Sequence, residues 1–123
     1  MNEQNISECT EKVCPVETTL EIIGGKWKGI IIYRLLGGTK RFSELKRKMP
    51  TITHRMLTLQ LRQLESDGIV NRRVYAEVPP KVEYSLTDLG LSMAPIIRSI
   101  HDWGKAYQEQ QQKEESIVQE QSM

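Results

Sequence analysis

The chain is predicted to fold as a mainly α-helical domain with a small β wing, and three observations carry that prediction. Apolar residues recur at intervals of three and four through most of the sequence, and at intervals of two in only one stretch. That stretch is tipped by Pro79-Pro80 and precedes the last helical block. Basic residues collect in the middle of the chain, over the helices and strands next to that tip. The length of 123 residues suits one domain and not two, and the 38% hydrophobic and 27% charged composition is that of an ordinary globular protein. The longest uncharged apolar run, Gly29 to Tyr33, is far too short for a bilayer span. The N-terminus has neither a basic nor an apolar leader region, so a reducing cytoplasm is expected.

Leu20, Ile23, Trp27, Ile31 and Leu35 keep helical spacing, interrupted at Gly24-Gly25, which predicts two helices over about 15–23 and 26–36. Ile30-Ile31-Ile32 alone would suit a strand, but Lys26, Trp27 and Leu35-Leu36 keep the 3.6-residue period better. Gly37-Gly38 ends the second helix, and 39–42 leaves room only for a bridging strand. Ser43 to Met49 forms a short amphipathic helix with Phe42, Leu45 and Met49 on one side and Lys46, Arg47 and Lys48 outward, ended by Pro50. Thr53 can cap a longer helix whose apolar side is Leu57, Leu61 and Leu64 and which closes at Gly68. Advancing about 100° per residue from Leu57 puts Arg55, Thr58, Leu59 and Arg62 on the opposite side. Ile69 to Ala76, and Val82, Tyr84 and Leu86 in alternation, supply the two strands of a hairpin whose tip is Val78-Pro79-Pro80, because proline cannot donate to a ladder. Thr87 can cap the last helix, seamed by Leu89, Met93, Ile96, Ile97, Ile100, Trp103 and Tyr107, where Pro95 implies a kink or a late start. From Gln108 onward apolar anchors are few, so 108–123 is expected to fray or lack structure, and 1–13 to form a flexible arm.

Helix, helix, short strand, helix, helix, hairpin, helix is the order of a winged helix-turn-helix. The net charge of +1 conceals a segregation that fits it. Residues 1–25 and 82–123 each sum to −4, 26–39 to +3, and 40–81 to +6, with ten basic residues against four acidic. A basic middle between acidic ends is a footprint for a polyanion. The helix begun by Thr53 can enter a DNA major groove, with Thr53, His54, Arg55, Thr58, Leu59 and Arg62 as its contacts. Lys46 and Arg47 on the preceding helix, and Arg73 and Lys81 on the wing, are candidates for the phosphate backbone.

Cys14-Pro15, Gly25-Lys26-Trp27, Gly38 to Leu45, Ile52 to Leu64, Gly68-Ile69-Val70 with Arg72, Tyr75 with Pro79-Pro80, and Val82 to Gly90 follow one another in an order that resembles the HxlR-type winged-helix transcriptional regulators of bacteria, over about 14–107. The resemblance implies a sequence-specific DNA-binding repressor or activator, without enzymatic activity, that dimerises through its N- and C-terminal helices. A homodimer would read a pseudo-palindromic operator on double-stranded DNA. Met93, Ile96, Ile97, Ile100, Trp103 and Tyr107 are then the expected dimer interface. The resemblance further implies that the cysteine beginning the first helix, here Cys14, is where an electrophile or oxidant acts in some members.

Cys14 can also be read on its own. It precedes Pro15, so its sulfur stands at a helix N-terminus, where partial positive charge favours the thiolate, while Glu11 and Glu17 oppose it. A reactive thiol and a buried inert one are both compatible with this setting. Cys9 could resolve an oxidised Cys14 only if its segment folds back. No metal site is expected, since Cys9, Cys14, His54 and His101 have no ligand spacing. No phosphate loop, hydrolase triad or Cys-x-x-Cys pair is present, so neither catalysis nor a cofactor is expected. Two other readings fit the same residues: a winged helix that binds a protein partner, and a regulator whose signal is a non-covalent small molecule at the dimer interface.

Overall fold

The computed structural model describes residues 12–121; Cys9 and nearly all of the arm expected over 1–13 lie outside them. Helix α1, Pro15–Ile23, starts where Cys14 is extended and Pro15 supplies a preset first residue. Helix α2, Lys28–Leu35, begins two residues later than its periodicity predicts, because Gly25 takes a φ of 76° and the chain turns through Trp27 before it can wind. After β1, Lys40–Arg41, the short α3, Phe42–Lys48, is started by Glu44, whose Oε1 accepts from the Arg41 amide at 3.1 Å. Helix α4, His54–Ser66, is capped by Thr53, whose Oγ1 accepts from the Met56 amide at 3.0 Å. At its far end Gly68, at φ 76°, lets the Ile69 amide reach the Leu64 carbonyl at 2.9 Å and the Gly68 amide reach Glu65 at 3.0 Å, which turns the chain into the sheet.

Strands β2, Val70–Tyr75, and β3, Lys81–Leu86, form the antiparallel hairpin, and β1 adds to the other edge of β3. In this register Arg72 faces Tyr84, Arg73 faces Glu83 and Tyr75 faces Lys81. One core joins all of this: Ile31, Ile32 and Leu35 of α2, Leu45 of α3, the Leu57, Leu61 and Leu64 stripe of α4, then Ile69, Val70 and Tyr84. Each such side chain contributes on the order of 1.5–3 kcal/mol by leaving water.

The C-terminal third departs from expectation in three ways. Thr87 caps a separate one-turn helix α5, Asp88–Leu91, by accepting from the Gly90 amide at 3.0 Å, and the long helix α6 runs only from Ala94 to Gln121. Pro95 thereby falls in the first turn of α6, where its missing N–H has no helical partner to lose. Met93 and Ile97, expected on a dimer surface, are 7% and 3% exposed and close this chain's own core. Met93 precedes α6, and Ile97 lies about 100° or less from Ile96 and Ile100 around it, so one stripe in the sequence splits into an inward and an outward half. Finally, the stretch from Gln108, expected to fray, continues α6 through Gln121. Its Gln, Glu and Lys residues are strong helix formers, and a helix already nucleated upstream costs little to extend.

Two glycines offer a test of this packing. A Cβ on Gly90 would collide with the Ile69 carbonyl oxygen, whereas one on Gly104, within α6, would meet nothing within 4 Å. Gly90→Ala should therefore lower stability by about 1–3 kcal/mol, and Gly104→Ala should raise it by up to about 1 kcal/mol. The urea midpoint at an unchanged slope is the measurement, and equal shifts for the two would contradict the close approach of α5 to Ile69.

Candidate nucleic-acid interface

The buried leucines of α4 decide which of its residues can touch a partner. With Leu57, Leu61 and Leu64 at 0–1% exposure, His54, Arg55, Leu59 and Arg62 are left exposed. Arg55 and Arg62, about two turns apart, lie on one outward line roughly 10 Å long. The predicted contacts are not equally available. Thr53 is engaged in its cap, and the half-buried Thr58 hydroxyl donates to the His54 carbonyl at 2.9 Å. The His54 ring sits 4.5 Å from that of Phe42, which ties the start of α4 to the start of α3. On α3, Arg47 is exposed and Lys46 half-buried.

The wing carries a compact cluster on one face. The Arg73 guanidinium lies 4.7 Å and the Lys81 ammonium 4.9 Å from the centre of the Tyr75 ring, and the Tyr75 hydroxyl donates to Glu83 at 3.2 Å. Lys81 also pairs with the Glu83 carboxylate at 2.9 Å. That hydrogen bond is the main reason the Glu83 carboxyl is held below its ordinary range, helped by the Tyr75 hydroxyl and the Arg41 charge against partial desolvation. Arg73 thus presents its charge outward, whereas Lys81 spends part of its own on a neighbour.

Arg72, which the sequence places along the wing without singling it out as a contact, shares a hollow of about 200 Å³ between α4 and the wing with Thr58, Arg62 and Glu65. Strand parity was the signal: Val70 and Tyr84 are inward, and Arg72 follows Val70 by two and pairs with Tyr84, so it must lie on the α4 side of the sheet. Arg55, Arg62 and Arg72 thus run as a basic surface from helix to wing, with Arg73 on the opposite face of the wing. Among the described residues no group of three His, Cys, Asp or Glu side chains could hold a metal ion, and no helix is long and apolar enough to cross a membrane.

Away from this surface, α1 and α6 expose apolar side chains. Val16 and Leu20 on α1, and Ile96, Ile100, Trp103 and Tyr107 on α6, are 44–71% exposed. The Trp103 and Tyr107 rings stack at 5.4 Å. Cys14 is half-buried at the start of α1.

Comparison with known proteins gives this geometry a context. The model of the HxlR-like helix-turn-helix family matches residues 22–112. YdeP, an uncharacterised HTH-type transcriptional regulator of Bacillus subtilis strain 168, is 58% identical over 103 residues, covering 84% of this chain and 80% of YdeP. Among solved structures, the redox regulator HypR in its oxidised form is similar at a TM-score of 0.74 and 60% identity, covering 76% of this chain and 96% of HypR. Diamide-treated YodB from B. subtilis is similar at a TM-score of 0.65 and 35% identity, over 79% of this chain and 97% of YodB.

The wing ion pair yields a prediction about charge. Glu83→Gln removes one negative charge from the wing and releases Lys81, so duplex affinity at low salt should rise and the slope of log affinity against log salt should steepen by up to about one. Fluorescence anisotropy of a labelled duplex over a salt series measures both. An unchanged slope would mean that Lys81 stays clear of phosphate.

Proposed function

The chain belongs to the HxlR-like helix-turn-helix family of DNA-binding transcriptional regulators, and on that premise we propose that it reads a pseudo-palindromic operator as a homodimer. The observation that carries this reading is the two-sided character of α4, apolar and fully buried on one side, exposed and basic on the other. Such a helix fits a major groove. Arg55 and Arg62 are assigned to base edges or adjoining phosphates, and Leu59, 45% exposed, to a thymine methyl. Thr53, His54 and Thr58 contact DNA near the start of the helix, within the limits their own hydrogen bonds set. Lys46, Arg47, Arg73 and Lys81 are assigned to backbone phosphates, and Arg72 joins them from beside Arg62. A single reading helix covers one half-site, and the exposed apolar residues of α1 and α6 supply a surface for a second copy. Ile96, Ile100, Trp103 and Tyr107 remain in that interface, without Met93 and Ile97. On this reading the chain works in the cytoplasm, without a catalytic role and without a cofactor.

Cys14 supports a second layer. It precedes Pro15 at a helix N-terminus, and two of the similar solved structures are an oxidised HypR and a diamide-treated YodB. We assign Cys14 as the thiol through which an oxidant or electrophile releases DNA. Its disulfide partner would be Cys9, Cys14 of the partner subunit, or a small thiol.

Two titrations against the duplex flanking this chain's own gene and a scrambled duplex test these assignments. Arg55→Ala should cost about 1–3 kcal/mol on the first duplex and narrow the difference between them, whereas Arg47→Ala should weaken both alike and flatten the salt slope by about one. Equal, salt-insensitive affinities in both variants would refute the roles, and the absence of any salt-dependent duplex binding would favour a protein partner instead. Separately, diamide should release DNA from the wild type and leave Cys14→Ser bound; equal release from both would remove Cys14 from the signal.

A further inference from the structure

Two hollows outside the reading face meet at Tyr33 and Arg34. The first, of about 560 Å³, lies between α2, the turn before it and α6. Ile23, Ile30, Ile97 and Ile100 give it an apolar wall, bordered by the stacked rings of Tyr33 and His101, 4.8 Å apart. The second, of about 450 Å³, is lined by Arg34, Lys40, Lys48 and Arg98, which come from α2, β1, α3 and α6, and no carboxylate lines it. Among the described residues none of these four cations takes part in an ion pair; those pairs are Lys81–Glu83 and His101–Asp102. Lys40 Nζ has a weak acceptor in the Gly38 carbonyl at 3.4 Å.

Arg34 stands where the hollows join. Its guanidinium is 5.7 Å from the Tyr33 ring centre, and its Nε is buried with no hydrogen-bond partner. A buried donor without an acceptor is rare in folded proteins. The carbonyl ends of α2 and α3 account for Arg34 and Lys48 near them, but Arg98, early in α6, has no such attraction. Four converging cations repel one another until an anion joins them.

We propose that the joined hollows form a binding site for a small organic carboxylate. The carboxylate is held by the forked guanidinium groups of Arg34 and Arg98, with Lys40 and Lys48 close by, and an aromatic or short aliphatic body lies against the isoleucines. No lining residue belongs to α4 or to the hairpin, so the site is separate from the reading face. It joins α2, which packs on α4, to α6.

The test is an NMR titration of the full 15N-labelled chain with 2-naphthoate, its neutral counterpart 2-naphthalenemethanol, and inorganic phosphate. Saturable shifts are expected over 30–34 and 97–101, with 2-naphthoate binding at least about tenfold more tightly than the alcohol or phosphate, as a charge-assisted hydrogen bond combined with apolar contact requires. Arg98→Gln, on the surface and removable without disturbing the core, should weaken 2-naphthoate several-fold and leave the alcohol unchanged. Ile30→Gln should weaken both. Absence of saturable shifts, equal affinity for the alcohol, or equal affinity for phosphate would each overturn the site. So would shifts confined to α4 and the hairpin, or shifts at 30–34 and 97–101 that follow protein concentration, which would identify a second copy of the chain as the occupant.

Discussion

The rotation of α4 about its own axis is the constraint on which the rest of the structure depends. Leu57, Leu61 and Leu64 are essentially inaccessible, and removing any one down to alanine would cost on the order of 2–5 kcal/mol. A turn of one residue, about 100°, would exchange these leucines for Thr58, Arg62 and Glu65 in one direction or Met56, Gln60 and Gln63 in the other. No side chain on the outward face therefore needs to be held individually. The helix is fixed at both ends as well, by the Thr53 cap and by the turn at Gly68 that leads its last carbonyls into β2. The hairpin inherits its placement from that turn.

Ile69 and Val70, directly after Gly68, belong to the same core, which sets the parity of β2. Tyr84 then fixes β3, and β1 pairs with β3 at Lys40 and Arg41. Once parity is set, Arg72 must turn toward α4 while Arg73 and Tyr75 turn the other way. A slip of one residue in the hairpin would exchange these faces and turn Arg73 toward α4 in place of Arg72. Thr87 adds a check on this register. Its hydroxyl donates to the carbonyls of Gly68 and Ile69 and accepts from Gly90, which joins the end of the hairpin to the beginning. Close approach of α5 at Gly90 leaves no room for a larger residue.

Much of this was legible in the sequence because it rests on periodicity. The leucine spacing gave α4 its inner side, and alternation at Val82, Tyr84 and Leu86 gave β3. What periodicity could not reveal is where a continuous apolar seam changes partners. Met93, Ile96, Ile97 and Ile100 read as one stripe, but Thr87 and Gly90 start a separate turn, and the helix after it leaves the core beyond Ile97. Whether a stripe faces its own domain or open surface depends on where the domain ends in space. Lys81 could not be judged either, since its ion pair with Glu83 exists only through hairpin geometry. The hollow around Arg34 brings together residues as far apart as Lys40 and Arg98, with no local pattern linking them. The helix through 108–121 has few apolar anchors and so no periodicity to signal it, although composition there favours a helix on propensity alone.

Helix α6 ties these parts together mechanically. It is 28 residues, about 42 Å, and a rod of that length transmits rotation better than a loop does. Ile97 holds its first turns in the core beside α2, while Ile96, Ile100, Trp103 and Tyr107 form an exposed stripe on the adjoining side. In a homodimer built on that stripe, the angle between the two copies is set by α6, and each copy's α6 is seated on the α2 that supports its α4. The separation of the two reading helices must match about one turn of DNA, roughly 34–36 Å, or a multiple of it. A small rotation of α6 relative to α2 would therefore change that separation without altering α4 itself. The hollow at Tyr33, Arg34 and His101 lies across this same junction, so an occupant there would bear on the angle between α2 and α6.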